Sequence, residues 1–467
     1  MEIEQNLTGK MMSVVKLAGH WQSSMPKKPG RRDENGEQRQ WEGLLALLEK
    51  FSRFANDYDK LLRRAPLPNQ RFIVNDGAQR LLKNFDVLSR ASEQRRGAVT
   101  RDSLAFYLAQ AEDKLSSYCS RWQPGGKYPA SYVTLKTPVV YFEKSFHISR
   151  SLYAPEIPVV SIPLTDYNDP NRWLALAHEM GHHIFWNALK GLEDVERLHL
   201  DMYTALAEPW LQAEGEILQP WGLWLEEIFA DVCGVLLAGP TYVISSQNLA
   251  AEWIRDVDDF AGNDNEHPSL YLRPWIAYEV LCRVMEPTED AKSLLNRIAE
   301  RWIAFCGDAP TLKCNCGNRG EVSLDDLRME AGKVVDILLN KPIWPNNQRL
   351  RDLIRYENQE LDLETLEPLP PLSQEISRTA GPQAEDIPQS IAAVWNFIQI
   401  KLVNDQRKSP VEKEDPKTLW NALVSLSLED EHGHWPLSAG HAPQVHWWAP
   451  WAKLHTHDPA TGSIRFW

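Results

Sequence analysis

The chain has 467 residues and a net charge of −14, from 50 Lys and Arg against 64 Asp and Glu. This length predicts roughly two to four domains and is ample for a hydrophobic core without disulfides or structural metals. Because proteins that bind polyanions usually carry a basic excess, we expect no nucleic-acid partner.

The cysteines and the apolar segments indicate where the protein acts. Six cysteines are spread thinly along the chain, which argues against a secreted disulfide scaffold. Residues 1–21 lack the sustained apolar stretch of a signal peptide. No segment approaches the ~20 uncharged apolar residues that a membrane span needs. We therefore expect a cytoplasmic protein without a membrane span.

The N-terminal region, residues 1–123, is predicted to be helical. Its segment 26–40 is charged and nearly free of apolar side chains, which is typical of a solvated loop. From 41 to 64 the apolar residues recur at helical spacing, and similar patterns return at 77–95 and 101–121. We expect these helices to form one layer.

The pattern changes at residue 124, where a second region, 124–340, begins. The segments 132–135 and 139–142 are rich in β-forming residues, and 158–164 is a short apolar run bracketed by prolines. Because proline inside a strand favours an edge position, 158–164 is predicted to be an edge strand. From 169 to 340 the pattern is mainly helical. The predicted fold class is α+β, mainly α, with a small mixed sheet.

The remaining residues form two further predicted regions. Residues 341–388 are rich in proline and acidic residues, which is typical of a linker or an extended wrap over the body. Residues 389–467 are predicted to be a C-terminal helical region that ends in a tail rich in Trp and His.

The motif that carries chemistry is HEMGH at 178–182, a match to H-E-x-x-H. His178 and His182 are four apart, so on a helix they share one face and both nitrogens can reach one Zn²⁺ at about 2.0–2.1 Å. Glu179 projects to the flank, where it can take a proton from metal-bound water. Gly181 is a poor helix former, but its small size allows another helix or a ligand to approach closely.

A second predicted helix contains EIFAD at 227–231. Glu227 supplies a third protein ligand, which completes a three-ligand site and leaves one position for water. Asp231 lies one turn later, where it can accept a hydrogen bond from a ligand imidazole. Glu226 is the rival ligand, but only Glu227 has an acid four residues on.

Together these two motifs resemble the gluzincin metallopeptidases, whose pattern is H-E-x-x-H followed by E-x-x-x-D. The segment His267-Pro268-Ser269 with Arg273 is similar to the H-P-x-x-x-x-R segment of HtpX-like and CAAX-prenyl-endopeptidase gluzincins. The similarity covers about a quarter of the chain, residues 158–285, and does not include the membrane helices of those families. It implies a zincin-like catalytic core with additional helical flanking regions.

The resemblance also implies roles for the motif residues. His178, His182 and Glu227 would hold one zinc ion, and Glu179 would be the general base that later protonates the leaving amine. Asp231 would orient a ligand histidine.

Two residues of the downstream segment also receive roles from the resemblance. His267 is a candidate to stabilise the developing oxyanion. The alternative for this residue is a structural cap at the His-Pro turn. Arg273 would anchor the segment to an acid.

The 158–164 strand receives a substrate-binding role from its position just before the motif helix. It would be the sheet edge that pairs with an extended peptide through backbone hydrogen bonds. The contacting residues would be Val159, Val160, Ser161 and Ile162.

Other metal-binding residue types favour structural roles. His183 follows a ligand by one position and therefore turns about 100° away, as a core histidine would. Cys306, Cys314 and Cys316 lack paired C-x₂-C spacing, so we expect free thiols. The His- and Trp-rich tail is predicted to be an aromatic strap packed over the body, with a metal-binding tail and an inhibitory lid as alternatives.

The sequence therefore predicts a zinc-dependent endopeptidase that acts on a protein or peptide substrate. Its large flanking regions suggest restricted access, controlled by a regulatory protein partner or another trigger. Two alternatives stay open. One is a catalytically silent zinc-binding sensor or interaction protein, and the other is a zinc hydrolase of a non-peptide amide.

Overall fold

A computed structural model describes most of the chain between residues 37 and 356. The predicted C-terminal region 389–467 lies outside the described residues, and so do Cys314 and Cys316. The described ranges are 37–64, 68–95, 103–124, 131–144, 146–149, 154–167, 172–208, 218–254, 267–306, 311–312 and 322–356, together with five positions between 13 and 20.

The described residues are mainly helical, which confirms the predicted α+β, mainly α, fold class. The helices are α1 (Glu37–Arg64), α2 (Pro68–Gln94), α3 (Leu104–Arg121), α4 (Ala175–Asn187), α5 (Leu192–Ala207), α6 (Leu218–Leu223), α7 (Leu225–Ala238), α8 (Pro240–Trp253), α9 (Arg273–Val284), α10 (Glu289–Cys306), α11 (Leu324–Asn340) and α12 (Leu350–Leu353). The strands are β1 (Val139–Glu143), β2 (His147–Ser149), β3 (Val159–Pro163), β4 (Thr311–Leu312) and β5 (Val322–Ser323). None of these helices combines the length and apolar content that crossing a membrane requires.

The larger sheet has the order β1-β3-β2, with β1 parallel and β2 antiparallel to β3. The prediction that residues 158–164 form an edge strand is therefore wrong, because β3 is the central strand and all five of its residues are buried. Pro158 precedes the strand and Pro163 ends it. The two prolines bracket the strand without interrupting its pairing.

Side chains close the outer edge of β1. The amide of Gln94 donates to the Phe142 carbonyl at 2.8 Å and accepts from the Phe142 backbone N–H at 2.7 Å. Glu112 accepts from the Val140 backbone N–H at 3.1 Å, and Arg95 donates to the Val140 carbonyl at 2.7 Å. Arg95 and Glu112 also form a buried ion pair. The other edge of this sheet is β2.

The two faces of the sheet pack against different helical layers. Helices α1 and α2 cover one face, where Val139, Tyr141 and Val159 point. The opposite face carries Val140 and Val160 into the main core, which α3, α4 and α7 help to build. The predicted N-terminal helices therefore divide between two clusters.

The beginning of the predicted linker or wrap, residues 341–356, packs on the main core. Trp344, Leu350, Leu353 and Ile354 are buried there. This part of the chain therefore belongs to the same hydrophobic unit as α4 and α7. Residues 357–388 lie outside the described part.

Helices α4 and α7 lie in close contact, and this contact positions the candidate site. A Cβ atom built on Gly181 would lie 2.5 Å from the Ala230 Cα and 2.8 Å from the Ala230 carbonyl oxygen. The small residue in the middle of HEMGH therefore permits the close helix approach that its size suggests.

Candidate metal centre

Three side chains from the two helices converge on one point. His178 and His182 come from α4, and Glu227 comes from the first turn of α7. The two Nε2 atoms lie 3.1 Å apart. Oε2 of Glu227 lies 3.3 Å from Nε2 of His178, and Oε1 of Glu227 lies 3.4 Å from Nε2 of His182.

These separations are close to those around one tetrahedral metal ion. With metal–ligand bonds of about 2.0–2.1 Å, two ligand atoms at tetrahedral positions lie about 3.3 Å apart. The two Nε2 atoms are 3.1 Å apart, and each lies within 3.4 Å of a different Glu227 oxygen. One ligand atom from each residue lies within 4.8 Å of the others, so the group could hold a single ion.

Each ligand histidine presents its other nitrogen to a carboxylate. Nδ1 of His178 lies 2.9 Å from Oδ1 of Asp231, and Nδ1 of His182 lies 3.0 Å from Oε1 of Glu226. Because an ionised carboxylate only accepts hydrogen bonds, each Nδ1 carries the proton and each Nε2 keeps its lone pair. Glu226, the rival candidate for the third ligand, therefore lies at the Nδ1 side of the His182 ring. The cluster of His178, His182 and Glu227 lies at the opposite, Nε2 side.

The cluster therefore places three hydrogen-bond acceptors close together, namely the two Nε2 atoms and the Glu227 carboxylate. Lone pairs on the two Nε2 atoms and on the Glu227 carboxylate repel one another, and Nη2 of Arg273 lies 3.3 Å from Nε2 of His178 and 3.5 Å from Oε2 of Glu227. Burial and the Arg273 charge lower the pKa of His178, but hydrogen bonds with Asp231 and Glu227 outweigh them and raise it to about 10. The same surroundings that hold a proton on His178 favour a divalent cation.

Asp231 is buried and is held by two further residues. Arg273 donates to it twice, from Nε at 3.0 Å and from Nη2 at 2.8 Å. The Tyr242 hydroxyl donates to Oδ1 at 2.6 Å. Burial raises the pKa of Asp231, but the Arg273 charge and the His178 hydrogen bond outweigh burial and lower it below its ordinary value. Arg273 thus anchors its segment to an acid.

The Tyr242 hydroxyl stays protonated in this environment. Burial and the neighbouring Asp231 charge raise the pKa of Tyr242 well above its ordinary value. The hydroxyl therefore acts as a neutral donor to the carboxylate.

Glu179 and His267 are the two candidate catalytic residues. Glu179 is buried, with 7% of its surface exposed, and no described residue hydrogen-bonds or ion-pairs with its carboxylate. Nε2 of His267 lies 3.4 Å from Oε1 of Glu227, and the His267 side chain is 45% exposed. His267 falls outside the three-residue cluster that could share an ion.

The neighbours of the ligands on α4 have other roles. His183 is fully buried, with Nε2 2.9 Å from the Lys136 carbonyl and Nδ1 3.0 Å from the Asn187 amide nitrogen. It is therefore a core residue, as its rotation on the helix predicts. The Trp186 ring stacks on His182, with centroids 5.6 Å apart.

The predicted substrate-binding strand does not offer a free edge. Residues 159–161 pair with β1 on one side and with β2 on the other, so their backbone groups already have partners. The assignment of Val159, Val160, Ser161 and Ile162 as an edge that contacts peptide therefore loses its structural basis. The strand β2, which packs near α4, is the edge of the sheet on that side.

The described cysteines take no part in the candidate site. Cys119, Cys233, Cys282 and Cys306 are free thiols. Burial raises the pKa of Cys306 to about 12, which makes it a poor metal ligand at neutral pH.

Sequence reasoning missed two residues of the arrangement. Tyr242 lies on α8, eleven positions after the carboxylate that it contacts, and no spacing rule links the two. The sequence suggests Glu226 only as a rival ligand, whereas its contact to Nδ1 of His182 is the equivalent of the contact between Asp231 and His178. The presence of two acids at 226 and 227 was the available signal.

Comparisons with known proteins assign neither a family nor a function to the chain. No family model, curated protein or solved structure matches the chain. The resemblance to gluzincin peptidases therefore rests on the motif residues and on the geometry of the three-residue site.

Proposed function

We propose that the protein is a zinc-dependent metallopeptidase of the gluzincin type. The observation that carries this proposal is the convergence of His178, His182 and Glu227, whose ligand atoms, one from each residue, lie within 4.8 Å of one another. Zinc is favoured because two imidazoles and one carboxylate, with a position left for water, form a common catalytic zinc ligand set.

A zinc ion held by His178, His182 and Glu227 would supply a Lewis acid and a water molecule that loses its proton near neutral pH. Glu179 would take the proton of the attacking water and deliver it to the leaving amine. Its carboxylate has no partner among the described residues, so it is available for this transfer. Nε2 of His267 lies 3.4 Å from Oε1 of Glu227, and His267 would donate toward the developing oxyanion.

Peptide substrates are supported by the motif set and by the sheet. HEMGH, EIFAD and the segment from His267 to Arg273 occur in the gluzincin order. An extended peptide could pair with the edge strand β2. The free thiols of the described cysteines fit the reducing, cytoplasmic compartment that we propose. The flanking helical regions would restrict access to a dedicated protein substrate.

The test is Glu179→Gln, compared with wild type and with Glu289→Gln, an isosteric change at an exposed carboxylate of α10. We expect all three proteins to bind one equivalent of zinc. Wild type and the control should cleave members of a peptide library, detected by mass spectrometry, while Glu179→Gln should lose turnover.

Two outcomes would favour the alternatives. Zinc binding without cleavage of any peptide, combined with turnover of a small amide, would favour a non-peptide hydrolase. A cellular function that survives Glu179→Gln would favour a zinc-binding sensor or interaction protein.

A further inference from the structure

Tyr242 lies beside the candidate metal centre, which its position in the sequence does not suggest. It lies in the first turn of α8, and its ring is buried beside α7. Its hydroxyl is 2.6 Å from Oδ1 of Asp231 and 3.4 Å from Nδ1 of His178. It therefore reaches the acid that holds a candidate metal ligand.

Gly234 provides the room for this ring. A Cβ atom at Gly234 would lie 2.6–2.9 Å from the Cζ, Cε2 and Cε1 atoms of Tyr242. Asp231 and Gly234 are three apart on α7 and thus share a face. Asp231 accepts a hydrogen bond from the Tyr242 hydroxyl and Gly234 leaves space for the ring, so one face of α7 is shaped to hold Tyr242.

We propose that Tyr242 is a positioning residue that orients His178 toward the metal by fixing Asp231. This inference rests on the proposed metal centre. Oδ1 of Asp231 faces three donors, which are the Tyr242 hydroxyl at 2.6 Å, Nη2 of Arg273 at 2.8 Å and Nδ1 of His178 at 2.9 Å.

Tyr242 differs from Arg273 because it donates a hydrogen bond to Asp231 without carrying a positive charge. Nη2 of Arg273 lies 3.2 Å from Nδ1 of His178, so its positive charge opposes the proton that His178 must keep there. The Tyr242 hydroxyl is neutral. It fixes the carboxylate without adding a positive charge, which leaves Asp231 a strong acceptor for His178.

The experiment measures metal binding and needs no substrate. Zinc dissociation constants are obtained by chelator competition for wild type, Tyr242→Phe, Asp231→Asn and the double variant. The visible spectrum of the cobalt-loaded protein reports ligand geometry, and urea unfolding of the metal-free protein reports the fold. Phenylalanine keeps the ring and its packing, so the variant removes only the hydroxyl.

The chain offers a matched control away from the site. A Cβ atom at Gly222 would lie 2.6 Å from the Tyr203 ring, which repeats the Gly–Tyr packing between α6 and α5. Tyr203→Phe and Gly222→Ala therefore make the same chemical changes as Tyr242→Phe and Gly234→Ala without touching the cluster.

We expect Tyr242→Phe to raise the zinc dissociation constant about 10-fold and to change the cobalt spectrum. Gly234→Ala should weaken zinc binding in the same direction. In the Asp231→Asn background, Tyr242→Phe should cause no further loss, since its effect acts through Asp231. The control variants should keep the wild-type dissociation constant.

Other results would overturn the proposal. An unchanged dissociation constant in Tyr242→Phe, with wild type binding zinc, would refute the positioning role and leave the proposed function standing. Losses that multiply in the double variant would show a structural effect independent of Asp231. A wild-type protein that binds no zinc would overturn both the inference and the proposed function.

Discussion

Replacing Gly181 with Ala tests whether the approach of α4 to α7 builds the metal centre. The added Cβ would lie 2.5 Å from the Ala230 Cα, and ordinary contact begins at 3.4 Å. The helices would have to separate by about 0.9 Å at this point. Metal sites tolerate ligand displacements of about 0.2 Å, so His182 and Glu227 could no longer bind the ion together.

The stability change follows from two opposing effects. Overpacking against backbone that cannot swing away costs up to about 3 kcal/mol. Alanine regains about 1 kcal/mol over glycine in helix propensity. The net destabilisation should therefore be about 2 kcal/mol. Urea unfolding of the metal-free protein measures it, and zinc titration of the folded variant measures the loss of binding.

Gly332→Ala is the matched control in α11. Its Cβ would lie 3.0 Å from Nη2 of Arg283, the far end of a flexible side chain that can move aside. We expect this variant to be as stable as wild type or slightly more so, with unchanged zinc affinity. If Gly181→Ala behaved like this control in both assays, the argument from close helix packing would be refuted.

Three further predictions concern single side chains. Glu226→Gln should weaken zinc binding about 10-fold by removing the acceptor for Nδ1 of His182; unchanged chelator competition would contradict this role. Glu112→Gln should cost about 3–5 kcal/mol in urea unfolding, because it leaves the Arg95 charge buried without its partner; a loss well below that range would show that the charge finds another partner. Burial raises the pKa of Cys119 to about 12. Cys119 is half-buried, so iodoacetamide at pH 8 should label it more slowly in the native than in the urea-unfolded protein, and equal labelling rates by mass spectrometry would contradict the raised pKa.

The two histidines of the candidate site could be predicted to lie together because local helical spacing determines their relative position. His178 and His182 share a face of one helix whatever the rest of the chain does. The choice of Glu227 over Glu226 depended on the acid at Asp231, and the structure brings Glu227 into the cluster. Helix geometry places neighbouring residues about 100° apart, so the two glutamates face different sides of His182.

The sheet arrangement and the contact to Tyr242 could not be predicted in the same way. A short apolar strand such as β3 has the same pattern at a sheet edge and at the centre. Its position depends on β1 and on β2, which lie elsewhere in the chain. The contact of Tyr242 with Asp231 depends on how α8 folds back on α7, which no local period encodes.

The proposed function requires that His178, His182 and Glu227 bind one zinc ion and leave a position for solvent. Zinc-edge X-ray absorption of the protein loaded with one equivalent of zinc measures this ligand set. We expect two imidazole nitrogens and oxygen ligands, all at about 2.0–2.2 Å. Sulfur scattering at about 2.3 Å, or a shell of oxygens without imidazole, would contradict it.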